Sequence, residues 1–120
     1  MPVEMIDTNI LVYAYDKSQE HRQQRAAEIL TRLWEDKSGL LSIQVLQEFY
    51  VIITRKVTYP LTHHNARKIL EIYSAWPVVS PTTQDVINAT LLAERYEISF
   101  WDAMILTTAE SGGASILWSE

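Results

Sequence analysis

Three acidic residues, Asp7, Glu48 and Asp102, adjoin apolar segments of the sequence, where carboxylates could form a reactive site. Asp7 directly follows the segment Val3–Ile6, which is typical of a short buried strand. Glu48 lies one helical turn past Val45 and borders an apolar stripe, and Asp102 lies in the first turn of a predicted helix. If the fold brings them together, they repel one another unless a cation offsets their charge. Oxygen ligands without His or Cys suit Mg²⁺ or Mn²⁺ rather than Zn²⁺, and such ions support hydrolysis of phosphodiesters.

Each acid also has a purely structural interpretation. Asp7 could simply cap the helix that follows it, because Asp is a favoured N-cap residue. Asp102 stands three residues after Ser99, in the relation of a capping box, and a carboxylate there also interacts well with the helix dipole. Glu48 could lean out into solvent from the edge of its stripe. Capping is the simpler interpretation of Asp102 taken alone, whereas Glu48 favours a functional role because burying an unpaired carboxylate is costly.

The elements that must position these acids are short apolar strands separated by longer helices. This alternation predicts a three-layer α/β/α sandwich with a mostly parallel central sheet of four to five strands. In such sheets, ligands bind beyond the carboxyl ends of the strands, where Asp7 and Glu120 lie. The predicted strands are Val3–Ile6, Leu40–Ser42, Pro77–Ser80 and Ser115–Trp118.

The predicted helices have recognisable boundaries. A helix from Ser18 to Asp36 is expected to end at Gly39, and Gly112 with Gly113 is expected to end the last helix. Four helices are expected to begin at residues that favour N-capping, with Asp85 completing a capping box in the third of them. The N-cap residues are Ser42, Thr62, Thr82 and Ser99. Two further expectations concern burial. The apolar stripe of the second predicted helix includes Trp34, and that of the helix after Thr82 is Val86, Ala89, Leu92, Ala93 and Tyr96.

The amino-acid composition and net charge limit the classes of protein to which this chain can belong. The chain has 120 residues, of which 48% are hydrophobic and 21% are charged, so we expect a single domain over residues 1–120. Neither a membrane span nor an export signal is visible, and the absence of Cys is compatible with the cytoplasm. The net charge of −5 argues against a wide basic surface, so a nucleic-acid partner would need a local basic patch or bound cations.

The three acids lie in motifs that resemble those of the PIN domain family, particularly the VapC-like toxins. The motifs are DTNIL after the first strand, QEFY inside a helix and SFWDAMIL at the start of a later helix. The resemblance implies a Mg²⁺- or Mn²⁺-dependent ribonuclease acting on single-stranded RNA, often dimeric, and neutralised by a small antitoxin protein. It implies that Asp7, Glu48 and Asp102 are the catalytic metal ligands, oriented by Thr8 and Asn9.

The end of the sequence departs from the family pattern. After the last strand the family usually has Ser or Thr, one further residue and then another Asp. Ser119 matches the hydroxyl residue, which would support the acids, and Glu120 stands at the intervening position. Three alternatives remain open: the domain is truncated, Glu120 takes the place of the missing ligand, or the fourth ligand is absent.

Other polar residues carry weaker hypotheses. Arg22, Arg25, Arg55 and Lys56 could contact phosphates, although solvated helix positions explain them more simply. Trp101 could stack on a base, but we expect a buried anchor for its helix.

Two other classes of function compete with the ribonuclease. A PIN-like module that has lost catalysis would bind RNA or protein only, as the missing fourth acid would allow. A phosphoryl-transfer protein with Asp7 as nucleophile is disfavoured, because the second residue after it is Asn9 rather than Asp.

Overall fold

A computed structural model describes residues 2–119, and over this range strands and helices alternate as the sequence predicts. Within these residues, four strands form the centre of a three-layer α/β/α sandwich, and six helices flank them. In chain order the elements are β1 (Val3–Ile6), α1 (Thr8–Tyr15), α2 (Glu20–Asp36), β2 (Gly39–Ser42), α3 (Ile43–Arg55), α4 (His63–Tyr73), β3 (Val78–Val79), α5 (Thr83–Tyr96), α6 (Phe100–Ser111) and β4 (Ala114–Trp118).

The sheet is parallel throughout, with strand order β3-β2-β1-β4. The chain therefore first builds the sheet outward from β1 to β3 and then returns to place β4 on the other side of β1. In open α/β sheets a crevice forms where the strand order reverses, outside the carboxyl ends of the strands. Here that crevice lies between the ends of β1 and β4, where Ile6 pairs with Trp118. Asp7 and Ser119 are the next residues along the two strands.

The main core lies between the sheet and the helices α1 to α4. Met5 and Ile6 of β1 and Leu41 of β2 are fully buried against Phe49 and Ile53 of α3. Because β1 and β2 are covered on both faces, they consist of almost continuous apolar residues. This packing fixes the position of α3, and Glu48 lies half-buried at the edge of its packed face.

All four predicted N-caps are present. The hydroxyl groups of Ser42, Thr62, Thr82 and Ser99 each accept a hydrogen bond from the backbone N–H three residues further on. At Thr82 the capping box is complete, since Asp85 also accepts a bond from the Thr82 N–H at 2.9 Å. Local side-chain chemistry thus determines where these helices begin.

The predicted start of α2 was wrong, whereas its last residue, Asp36, is as predicted. The helix begins at Glu20 rather than at Ser18, because Ser18 instead donates to the carboxylate of Asp16. It ends one residue before Lys37, which adopts a left-handed conformation with φ of 55°. Gly39 does not terminate the helix but opens β2, where its missing side chain makes room for Trp76.

Two predicted stripes are less buried than expected. Trp34 is 36% exposed, and Val86 and Tyr96 of α5 are 41% and 58% exposed. The reason in α5 is that this helix packs mainly against α6, around a small separate cluster centred on Ala89. None of the helices within residues 2–119 combines the length and apolar character that a bilayer crossing requires.

Candidate active site

Asp7, Glu48 and Asp102 line one open pocket at the carboxyl end of the sheet. The pocket has a volume of about 160 Å³ and is also lined by Thr8 and Asn9, among other residues. Asp7 comes from the end of β1, Glu48 from the middle of α3 and Asp102 from the first turn of α6. The tertiary structure therefore brings the three acids to a common surface, although they are far apart in the sequence.

Asp7 acts as a helix cap and also faces this pocket. Its backbone is extended, and its Oδ1 accepts a hydrogen bond of 2.6 Å from the N–H of Thr8 at the start of α1. Its Oδ2 accepts a bond of 3.1 Å from the Ser119 hydroxyl at the end of β4. A carboxylate can accept about four hydrogen bonds, so both oxygens retain capacity for a cation. The capping and metal-binding interpretations of Asp7 are thus compatible.

Thr8 connects Asp7 to Glu48. Its side chain is buried, and its hydroxyl donates a hydrogen bond of 2.7 Å to Glu48 Oε1. Glu48 itself is half-buried at the edge of the α3 stripe, facing the pocket rather than leaning away from it. One residue therefore holds two of the acids in a fixed relation, through its backbone and its hydroxyl.

Asp102 differs from Asp85, although both occupy the third position after an N-cap hydroxyl. The N–H of Asp102 donates to the Ser99 hydroxyl at 3.0 Å. Within the described residues, however, its carboxylate does not return a bond to the Ser99 N–H, whereas Asp85 makes that return bond to Thr82. The exposed carboxylate of Asp102 thus remains available to the pocket.

Two pocket residues were missed or misjudged from the sequence. Gln44 lines the pocket one helical turn before Glu48, and its Nε2 donates to the backbone oxygen of Trp101 at 3.3 Å. The spacing of Gln44 and Glu48, four residues apart in one helix, was a signal that could have identified it. The prediction that Trp101 is a buried anchor was wrong, because its side chain is 61% exposed at the rim of the pocket.

The pocket suits a hydrated divalent ion better than a closed protein cage. Among residues 2–119, no three His, Asp or Glu side chains converge closely enough to enclose a metal ion. Mg²⁺ normally keeps several water ligands and takes only one or two protein carboxylates. An open pocket with oxygen and amide donors from Asp7, Asn9, Gln44, Glu48 and Asp102 meets that requirement.

The remaining predicted residues lie outside this pocket. Arg22 and Arg25 line a neighbouring groove together with Ser119. Arg55 and Lys56 are exposed at the end of α3 and line neither of these two depressions. Glu120, the candidate substitute for a fourth acid, lies outside the described residues.

An ion pair between the buried Glu4 and the exposed Arg32 was not foreseen from the sequence. Glu4 of β1 is only 4% exposed, and Arg32 of α2 contacts both of its carboxylate oxygens, at 2.7 and 2.9 Å. Trp118 Nε1 also donates to Glu4, at 2.8 Å. The hydrogen bonds from Arg32 outweigh the effect of burial and hold the pKa of Glu4 at about 2, well below its usual value of 4.5. This cluster joins β1, α2 and β4, and its β4 member, Trp118, directly precedes Ser119.

Three solved structures share this fold. A toxin–antitoxin complex from Klebsiella pneumoniae gives a TM-score of 0.72 at 17% sequence identity, covering 98% of this chain and 86% of that chain. VapC20 from Mycobacterium tuberculosis, described as a toxin that cleaves the sarcin–ricin loop, gives 0.72 at 20% identity, with coverages of 98% and 88%. DNA-bound VapBC from Salmonella typhimurium gives 0.65 at 21% identity, with coverages of 95% and 83%.

Sequence comparison identifies the family. No curated protein sequence is a significant match to this chain. The sequence profile of the PIN domain, in contrast, matches residues 5–120, which is nearly the whole chain. This match includes Asp7, Glu48 and Asp102. The chain therefore belongs to the PIN domain family.

Proposed function

We propose that this protein is a metal-dependent endoribonuclease that hydrolyses phosphodiester bonds of single-stranded RNA, acting in the cytoplasm as the toxin of a toxin–antitoxin pair. The observation that carries the proposal is the common pocket of Asp7, Glu48 and Asp102, which is lined by residues at the end of β1, on α3 and at the start of α6. Membership of the PIN domain family supports the reaction class. The cofactor in this proposal is Mg²⁺ or Mn²⁺.

Each acid has a distinct role in the proposed mechanism. Asp7 and Asp102 would hold the ion, and Glu48 would either ligate it or orient the attacking water. When bound, such an ion supplies charge neutralisation at the phosphate and favours deprotonation of water. Thr8 keeps Asp7 and Glu48 in register through its two hydrogen bonds, and Ser119 orients the second oxygen of Asp7. Asn9 adds a polar group to the same wall of the pocket.

Trp101 supports single-stranded RNA as the substrate class. The Trp101 indole is 61% exposed beside three acids, and it also makes an edge-to-face contact with Phe100, with the ring centroids 5.1 Å apart. Bases that are free of a duplex stack on such aromatic side chains, and each stack contributes about 1–3 kcal/mol. We therefore propose that a base next to the cleaved bond stacks on Trp101.

The proposed partners are an antitoxin and a second copy of the chain. Two of the similar structures are toxin–antitoxin assemblies, which supports a small protein partner for this chain. The homodimer is supported by the exposed apolar side chains of α5, where Val86, Ile87 and Leu91 are between 41% and 61% exposed. Apolar residues concentrated on one exposed helix commonly mark protein interfaces.

The proposal is tested by cleavage of a panel of single-stranded RNAs with Mg²⁺ or Mn²⁺. Activity should disappear with a chelator, and Asp7→Asn should reduce it to the level of the chelated protein. Glu71→Gln is the matched control, because it also removes one negative charge but lies on α4, outside the pocket. Cleavage that persists both with chelator and in Asp7→Asn would refute a metal-dependent mechanism.

One observation favours a second candidate, a PIN-like module that binds RNA or protein without cleaving. The acids share a pocket, but no three of them within the described residues converge into a closed site. Calorimetric titration with Mn²⁺ separates the two functions. The nuclease should show a saturable site that Asp102→Ala abolishes, whereas a binding module should show no such site.

A further inference from the structure

A second groove adjoins the acidic pocket, and we call it the basic groove. It has a volume of about 310 Å³ and lies between α1, the first half of α2 and the end of β4. Its polar and aromatic residues are Tyr13, His21, Arg22, Arg25, Trp118 and Ser119.

The basic groove and the acidic pocket meet at one hydrogen bond. Ser119 lines the basic groove, and its hydroxyl donates to Asp7, which lines the acidic pocket. Near the start of α1, Asp7 lines the acidic pocket, and Ile10, three residues further on, lines the basic groove. A flexible chain bound at the acids can therefore continue directly into the basic groove.

The charge of this groove differs from that of the protein as a whole. The chain carries a net charge of −5, yet Arg22 and Arg25 face the groove one helical turn apart. Within residues 2–119, no carboxylate lies within ion-pairing distance of Arg25. Arg22 is oriented by Tyr13, since its Nη1 donates to the phenol oxygen at 2.9 Å and its guanidinium lies 5.1 Å from the ring centre. The groove thus presents two guanidinium groups beside an acidic centre, and Tyr13 orients that of Arg22.

We propose that the basic groove binds the sugar–phosphate backbone of the RNA on one side of the cleaved bond, with Arg22 and Arg25 each contacting a phosphate. This inference rests on the proposed ribonuclease function and extends it to a substrate-binding site. Guanidinium groups pair with phosphate oxygens through two parallel hydrogen bonds, and such contacts position a nucleic acid without reading its sequence. They would hold a polyanion that the overall negative charge of the protein repels.

The test is the salt dependence of RNA binding, measured by fluorescence anisotropy with a labelled single-stranded oligouridylate. Asp102→Asn serves as the background, so that the oligonucleotide is not cleaved. A plot of the logarithm of the association constant against the logarithm of the salt concentration has a negative slope, which we call the salt slope. Each lost phosphate contact should reduce its magnitude by about 0.7, which at 0.1 M salt corresponds to about fivefold weaker binding. Arg25→Gln should show one such step, and Arg22→Gln with Arg25→Gln should show two. Arg67→Gln on α4 is the matched control and should change neither quantity, because Arg67 is exposed away from both depressions.

Failure of this inference is distinguishable from failure of the proposed function. If the wild-type protein cleaves RNA, but the two arginine substitutions change neither the salt slope in the Asp102→Asn background nor kcat/KM in the otherwise wild-type protein, the basic groove is not the backbone site. If the arginine-dependent binding is present while no metal-dependent cleavage occurs, the groove is supported and the nuclease is refuted. Another outcome would be that a polyglutamate of matched charge binds as tightly as the oligouridylate and depends on the arginines to the same extent. That result would overturn the assignment to RNA, since it would indicate a site for acidic protein segments. Thermal melting of each variant confirms that the fold is retained, and Arg25→Gln alone decides the outcome if Arg22→Gln unfolds.

Discussion

Replacing Glu4 by Gln tests the ion pair between Glu4 and Arg32, part of the cluster that joins β1, α2 and β4. The carboxylate of Glu4 accepts two hydrogen bonds from Arg32 and one from Trp118, and Glu4 is 4% exposed. The substitution keeps the size of the side chain but removes its charge. We expect it to lower the free energy of unfolding at neutral pH, because Arg32 loses its ionic partner and an amide donor enters a cluster of donors.

The magnitude follows from the pKa of Glu4. A pKa of about 2 in the folded protein, against 4.5 ordinarily, would correspond to about 3 kcal/mol. Arg32 is 43% exposed, so solvent screens the pair, and we expect a loss of about 2 kcal/mol. Because the pKa of Glu4 is lowered by folding, this stabilisation is complete above pH 4.5 and is lost as the pH falls towards 2.

Urea unfolding of the wild type and of Glu4→Gln from pH 7 down to pH 3 measures both effects. The difference in unfolding free energy should be about 2 kcal/mol at pH 7 and should shrink steadily below pH 4.5. Glu71→Gln provides the control, since an exposed carboxylate should contribute within about 0.5 kcal/mol at every pH. The assigned role of the ion pair would be refuted if the difference in unfolding free energy stayed constant with pH. It would also be refuted if that difference at pH 7 were below about 0.5 kcal/mol, the value expected of an exposed carboxylate.

Two further predictions concern single contacts. Gly39→Ala should destabilise the protein by about 1–3 kcal/mol in urea, because the new Cβ would lie 2.4 Å from the ring of Trp76, and an unchanged urea midpoint would contradict this packing. Thr8→Val should reduce RNA cleavage and Mn²⁺ affinity by about 10–100-fold, because it removes the hydroxyl that orients Glu48. Thr8→Ser keeps the hydroxyl and should retain both properties. A Thr8→Val protein with wild-type Mn²⁺ affinity would show that this hydrogen bond does not position Glu48.

Features that depend on short stretches of chain could be predicted from the sequence. The N-caps at Ser42, Thr62, Thr82 and Ser99 were all predicted, because each requires only a hydroxyl and an N–H three residues away. The strands and the fold class followed from apolar runs of characteristic length and from their alternation with helices. The three acids could be nominated because each interrupts such a local pattern. Their roles as metal ligands stay a prediction.

Burial was predicted less well, since it depends on what an element packs against. The periodicity of α5 does indicate an apolar stripe, yet Val86 and Tyr96 are exposed because α6 is its main neighbour. Trp101 has the side chain of a core residue, but it lies at the start of α6, at the rim of the pocket, where the sheet does not cover it. A hydrophobic side chain is more stable when it is buried, but the arrangement of the helices decides which hydrophobic side chains are buried.

The sequence by itself determined the elements, their ends and the types of residue available for chemistry. Only the tertiary structure decided which of those residues meet. The Ser119 hydroxyl reaches Asp7 across a separation of 112 residues, and Trp118 reaches Glu4 across 114, because β4 pairs with β1 rather than with β3. Strand order results from the packing of the whole chain, since the sheet must bury apolar residues on both faces at once. No local pattern around Asp7, Glu4 or Ser119 contains that information.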